Sequence, residues 1–273
     1  MISLIILRRQ TPSATGDRLA DQDRWTFDSS TEAILPWVWC ECIAWRRLPS
    51  WLCIPVNVVF NAKQGRVDRY YGPKNRDACI KRMAEHVSFD ISVVARLESS
   101  FKAEHAKLSQ VSADISGLDF PALTDEVIYK VYSVVLAQHS ELCKYKNIAI
   151  LSNKDNRLAP VSMALASGET DSALSEARAS AERMFTDITR RIQQKRDFVD
   201  VMTPEEIHYA LGGGSFDEWE VERRMGHYIL VYDLEKDDPH VYSGEKSRTM
   251  EASFGLKGTA FPKPQPMPPL DRF

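Results

Sequence analysis

The sequence has no excess of charge of either sign: 35 lysines and arginines stand against 38 aspartates and glutamates, a net charge of −3. That balance supplies no general attraction to polyanions, so neither nucleic acid nor a membrane surface is expected as a partner. Long apolar runs are missing too. The apolar start at Ile2 to Leu7 is too short for a span or a standard signal core, and its two arginines follow it rather than precede it. Cysteine is sparse and scattered. Cys40, Cys42, Cys53, Cys79 and Cys143 are odd in number and form no CxxC pair, which argues against a disulfide framework and for reduced thiols in a cytoplasm. The glycine cluster of Gly212, Gly213 and Gly214 lacks the lysine and hydroxyl residue of a phosphate loop and the spacing of a dinucleotide fingerprint. It reads instead as a left-handed helix terminus and a hinge.

What is present suits a folded core. At 273 residues and 44% hydrophobic content, the chain can form one large or two small domains. Five of its six tryptophans, Trp25, Trp37, Trp39, Trp45 and Trp51, fall in the first quarter. Packing is the plainer use of such a cluster, with a ligand platform as the alternative. Trp37, Trp39, Cys40 and Cys42 show period-two placement, which on a strand puts Cys40 beside Cys42 as buried, inert thiols. Pro55 to Tyr71 reads as a hairpin with a polar turn at Lys63 to Gly65. Gly72-Pro73 ends it, and Asn75 or Asp77 caps a helix from about Ala78 to His86.

From Phe89 to Lys195 the periodicity is helical. Val93, Leu97, Phe101 and Leu108 mark one stripe. Thr124 caps a second helix whose wide apolar face, from Val127 to Leu142, makes it the central helix of a bundle. A third begins at Asp171 or Ser172, with Leu174, Ala177, Ala181, Phe185 and Ile188 inward and basic residues at its end, where they complement the helix dipole.

The most heavily punctuated stretch is Arg196 to Phe261. Thr203 is a candidate N-cap, Pro204 fits the first helical position, and Glu206 completes a capping box. The helix stops at Gly212. Phe216, Trp219 and Arg223 then recur at helical spacing, His227 to Asp233 reads as a strand, Leu234 to Pro239 as a turn, and His240 to Ser243 as a returning strand.

This succession resembles the connector of phosphoenolpyruvate-utilising phosphotransferases, the family of phosphoenolpyruvate synthase, pyruvate phosphate dikinase and rifampin phosphotransferase. The matching residues are Met202 to Ile207, Glu222 to Tyr228, Ser243 to Glu245 and Leu256 to Ala260. In that family such a segment joins an ATP-grasp nucleotide-binding domain to a swivelling domain whose histidine carries phosphate. The resemblance implies ATP and magnesium as cofactors of those domains, none bound by this segment, and separately encoded ATP-grasp and phosphohistidine domains as partners. Neither an ATP-grasp core nor a Thr-Ser-His phosphocarrier motif is recognisable in the chain, and Pro262 to Pro269 read as a disordered tail.

Candidate site residues are few. Arg223 and Arg224 could clamp a phosphate, against pairing with Glu220 and Glu222 as the plainer account. His139 and Cys143 have the i, i+4 spacing of metal ligands but no second pair, so no metal is expected. Glu205 and Glu206 resemble an acid/base pair but sit where a helix N-terminus favours acids. No catalytic residue is assigned.

The expected fold is α+β, mainly α. It comprises a Trp-rich, hairpin-containing part (1–86), an antiparallel helical bundle (87–200), a helix and strand-pair connector module (201–260) and a proline-rich tail (261–273). The expected role is positioning rather than chemistry, with Gly212, Gly213 and Gly214 as the point of movement. Two alternatives stand beside it: a helical scaffold or protein-binding module, and a small enzyme whose site joins His139, His208 or His227 to a carboxylate.

Overall fold

The computed structural model describes residues 25–165, 167–233 and 238–256. The apolar start, most of the 234–239 turn, residues 257–260 and the proline-rich tail lie outside them. Among the described residues are ten α-helices and one five-stranded sheet, an α+β fold that is mainly α.

The chain enters on β1 (Thr26–Glu32) and turns into α1 (Leu35–Arg46). The hairpin follows as β2 (Val58–Lys63) and β3 (Arg66–Tyr71). Its two turn residues, Gln64 and Gly65, have φ of 51° and 79°, as a two-residue turn matched to strand twist requires. The strand expected around Trp37 to Cys42 is α1, a helix. Pro36 occupies its first turn, and the segment is buried on all sides, so no one-sided stripe marks it. Trp37 and Cys40 face one core with Phe185 and Ile188, whereas Trp39, Cys42 and Trp45 face another with Tyr71 and Met83. Cys40 and Cys42 therefore point into different cores instead of sharing a face.

α2 (Pro73–Phe89) starts directly after the hairpin, five residues earlier than expected, because Pro73 itself supplies the first helical position. The bundle consists of α3 (Ser92–Ser116), α4 (Asp125–Ser152) and α6 (Ser167–Arg191), which pack on one another, with the short α5 (Ala159–Ala164) between the last two. Thr124 caps α4 by accepting from the Val127 amide. α6 begins at Ser167, ahead of the expected Asp171 or Ser172. α4 also packs along α1, which makes α1 the plate between bundle and sheet.

α7 (Arg196–Val199), α8 (Pro204–Leu211) and α9 (Glu218–Gly226) lead into β4 (His227–Asp233) and β5 (Asp238–Ser243). β4 does not pair with β5 alone: it also lies antiparallel to β2, from Val59↔Val231 to Lys63↔His227. The order is β1-β3-β2-β4-β5, so strands from both ends of the chain share one sheet. Pro239 sits on the edge strand β5, where its missing amide breaks no inner ladder. The last helix, α10 (Gly244–Phe254), has no counterpart among the expected elements; it covers the outer face of the sheet with Phe254 against Trp25.

Candidate functional site

The local chemistry of α8 follows the expected capping box. Thr203 Oγ1 accepts from the Glu206 amide at 3.2 Å, and Glu206 Oε2 accepts from the Thr203 amide at 2.8 Å. The Glu206 carboxylate then does a second job. Arg224 Nη1 donates to its Oε2 at 2.6 Å and Nη2 to its Oε1 at 3.0 Å, a two-pronged contact between α8 and α9. Arg224 is 6% exposed and faces inward with Val221. Arg223 is exposed and pairs with Glu220, whose other oxygen accepts from Ser243. Burial works against the Glu220 charge, but the Ser243 and Arg223 hydrogen bonds and the Arg224 charge hold its carboxyl below the usual range. Of the expected plain partners, Glu220 serves and Glu222 does not. Trp219, one of the residues recurring at helical spacing, is 75% exposed, because Val221 and Arg224 occupy the inward face of α9.

Gly212, Gly213 and Gly214 make the turn between the two helices that Glu206 and Arg224 tie together. The three glycines are not equivalent, as a uniformly left-handed terminus would have them. Gly213 alone is left-handed, with φ of +76°, whereas Gly212 closes α8 at φ of −77°. Each amide is held by the last turn of α8: Gly212 donates to the His208 carbonyl at 3.1 Å, Gly213 to Ala210 at 3.0 Å and Gly214 to Tyr209 at 2.9 Å. A Cβ at Gly213 would meet nothing within 4 Å, so glycine is needed there for its backbone angle and not for space. At Gly214 the reason is the reverse. A Cβ would lie 2.4 Å from the exposed Tyr209 ring, so a larger residue would require that ring to swing aside. The Arg224–Glu206 pair spans this turn. At the Ser-Gly corner Gly244 is required by its φ of +59°, while the nearest atom to a Cβ there, Arg223 Cδ at 2.9 Å, belongs to an exposed side chain that can move.

A cavity of about 490 Å³ lies between the sheet and the bundle, with Arg224 on its wall. Ala62, Val67 and Tyr228 line it from the sheet, Ile34 and Trp37 from α1 and its approach, Arg178 from α6, and Arg224 and Met225 from α9. The Leu35 amide donates to the Asp200 carbonyl at 2.7 Å, tying the start of α1 to the segment after α7 on the same wall. Arg196 bridges two of the lining carboxylates, Asp200 at 2.7 Å and Glu182 at 3.1 Å.

Arg178 is the unexpected member. Its Nη2 lies 3.5 Å from His139 Nε2 and its guanidinium stands 5.9 Å from the Trp37 ring, while its buried Nε meets no partner. No carboxylate pairs with it among the described residues. The signal was present in the sequence: Leu174, Arg178, Ala181 and Phe185 follow a 4-3-4 spacing, which places an arginine in the apolar stripe of α6. Tyr228, 4% exposed, lines the same cavity, and its hydroxyl has no hydrogen-bond partner among the described residues. Burial pushes its hydroxyl pKa up, so it stays a donor at neutral pH.

The histidines are placed apart. His139 is fully buried and stacks on Trp37 at 4.6 Å. Burial, then the Arg178 and Lys146 charges, hold it well below the usual histidine pKa. Cys143, one turn on, is pushed up to about 12 by burial and Glu41, so it is an inert thiol. His208 stacks on Tyr129 at 3.7 Å. His227 contacts Asn61 Oδ1 at 2.8 Å and Ser247 Oγ at 3.0 Å, with Glu251 3.9 Å away. Ser247 is buried, and its hydroxyl lies 2.8 Å from the Gly244 carbonyl and 3.0 Å from His227 Nδ1, so one proton serves two acceptors. None of the three histidines lines the cavity. No group of three or more metal-ligating side chains converges among the described residues, and none of their helices is long and apolar enough to cross a membrane.

No family model matches the chain, and no curated protein or solved structure matches it either.

Proposed function

We propose that this chain is a cytoplasmic, non-catalytic connector segment of a phosphoenolpyruvate-utilising phosphotransferase, which positions separately encoded ATP-grasp and phosphohistidine domains. The observation that carries the reading is the pairing of Arg224 with Glu206, from the part of the sequence that resembles the family's joint. It latches α8 to α9 across Gly212, Gly213 and Gly214, and α9 runs directly into β4, which is hydrogen-bonded to β2 in the middle of the sheet. A strut of this kind transmits position from one end of the module to the other. The latch gives it one defined point of release, as a swivelling assembly needs.

Radiolabelled ATP provides the test. The purified chain is incubated with magnesium, phosphoenolpyruvate and labelled ATP, alone and with the ATP-grasp and phosphohistidine domains of a phosphoenolpyruvate-utilising phosphotransferase. The chain alone transfers no label, and its addition speeds labelling of the histidine domain relative to the two domains without it. Turnover of ATP by the chain alone, or an unchanged labelling rate on its addition, overturns the reading.

A further inference from the structure

We propose that the cavity between sheet and bundle binds a small carboxylate with an apolar body, held by Arg178 with Tyr228 as a second donor. Arginines drawn into a fold are ordinarily answered by carboxylates, because an isolated charge removed from water is costly. The arginines around this cavity obey the rule with one exception. Arg224 is taken by Glu206, and Arg196 by Asp200 and Glu182, but Arg178, half-buried, has only a histidine nitrogen and a tryptophan face. Its planar fork is the side-chain shape that best matches a carboxylate.

Tyr228 supplies a second, independent observation. Its side chain is 4% exposed and lines the cavity, and the hydroxyl meets no partner among the described residues. The hydroxyl is open to the cavity, where it can donate to an occupant or to water. Arg178, with no carboxylate and a buried Nε without a partner, and the Tyr228 hydroxyl offer two donors to one cavity, and donors suit an occupant that accepts. Between them the walls are apolar, with Trp37, Ile34, Val67 and Met225, so the body of the occupant is apolar as well. A cavity of about 490 Å³ has room for an aryl or branched carboxylate of about 10 to 20 non-hydrogen atoms.

The acidic residues of the wall do not reverse this preference. Glu182 and Asp200 share Arg196, which offsets one of their two charges and is held away from Arg178 by that pairing. Asp197 and Glu32 are exposed at the rim, where solvent screens them. The occupant consistent with the rim alone is a cation, and the test separates the two.

The probes are 3-phenylpropionate, its amine isostere 3-phenylpropylamine and its neutral isostere 3-phenylpropanol, titrated calorimetrically into the full chain at neutral pH. The acid binds saturably, with a dissociation constant of about 10 μM to 1 mM, and the amine and alcohol bind at least about tenfold more weakly. Arg178→Met weakens binding of the acid by about 10- to 100-fold, and Tyr228→Phe by about 3- to 10-fold. Tyr228→Phe removes only the hydroxyl, so it tests the site even if Arg178→Met disturbs folding. The proposal is overturned if the amine binds as well as the acid, if neither substitution weakens the acid, or if the acid shows no saturable binding up to about 10 mM. These measurements use the chain alone. They stand or fall independently of the connector reading, which is tested by phosphoryl transfer among separate domains.

Discussion

Arg224 and Arg178 line the same cavity, and the protein answers one charge and leaves the other open. Arg224 meets both oxygens of Glu206, and that carboxylate is itself fixed by the capping box of α8. Its Nε, though not hydrogen-bonded, stands 3.7 Å from a Glu220 oxygen. Arg178 meets His139 and Trp37, neither of which carries a countercharge. Burial of an arginine is therefore not in itself a sign of a binding site. A two-pronged pair closed within the chain holds two helices together, whereas a fork with no carboxylate beside an apolar cavity is free to hold something else. The same contrast recurs on β3, where the buried Arg69 is closed by Asp28 and Glu41. Burial opposes the Arg69 charge, but Glu41, Tyr71 and Asp28 outweigh it and raise its pKa, so this arginine ties the sheet to α1 as Arg224 ties α9 to α8.

The sharpest way to break the comparison is to remove each charge in turn. Arg224→Met strands the Glu206 carboxylate in a partly buried site and costs about 3 kcal/mol in urea unfolding, the lower end for such a loss because Glu206 keeps some exposure. Arg178→Met removes a charge with no countercharge and changes stability by less than about 1 kcal/mol in either direction. Equal losses in the two variants would mean that Arg178 is as structural as Arg224.

A second measurement concerns the partner that Arg178 does have. His139 is fully buried, and its folded pKa lies well below the ordinary value of about 6.5. As pH falls through about 6.5 the unfolded chain takes up a proton that the folded chain refuses. Stability therefore declines toward acid, by up to about 1.4 kcal/mol per pH unit for this group, until the folded pKa is reached. His227 adds a decline of the same sign, since burial and Lys63 lower its pKa against the opposing pull of Glu251. His139→Leu flattens the profile between about pH 6.5 and 5 by its own share. Arg178→Met moves the steep part less, because burial precedes the Arg178 charge among the causes of the His139 shift. An unchanged slope in His139→Leu would show that the imidazole does not carry the effect.

The closed arginine was half legible in the sequence, and the open one only as an arginine set in the apolar stripe of α6. Thr203, Pro204 and Glu206 announce a helix start because a capping box is a contact between residues three apart. The partner of Glu206 lies 18 residues away. No local rule selects Arg224 over Arg223 until the helix register is known. The glycines divide in the same way. That α8 stops at Gly212 is local, but that Gly213 takes the left-handed angle and Gly214 lies under the Tyr209 ring depends on how the turn is threaded. The sheet shows the same limit, because the hairpin of β2 and β3 follows from its alternation and turn, while the pairing of β2 with β4 joins segments about 170 residues apart. α1 reads as a strand for a different reason. A helix buried on both sides has no polar face, and a short run of tryptophans and cysteines fits period two as well as 3.6. Pro36 in the first turn is the signal that decides it. α10 escapes notice because its buried face includes a serine, Ser247; Gly255, with φ of 60° at its end, marks the stop.

The smallest expected effect tests whether the cap and the arginine act as one device. Thr203→Ala removes the hydroxyl that accepts from the Glu206 amide and costs about 1 kcal/mol, the ordinary value of an N-cap. It leaves the Glu206 carboxylate bound to Arg224 and to the Thr203 amide. If the clamp is held chiefly by Arg224, the double variant Thr203→Ala, Arg224→Met loses the sum of the two single costs to within about 0.5 kcal/mol. A coupling above about 1 kcal/mol would mean that the cap orients the carboxylate for the arginine. The joint between α8 and α9 would then be set from its first residue, Thr203, and not only from the far side of its glycines.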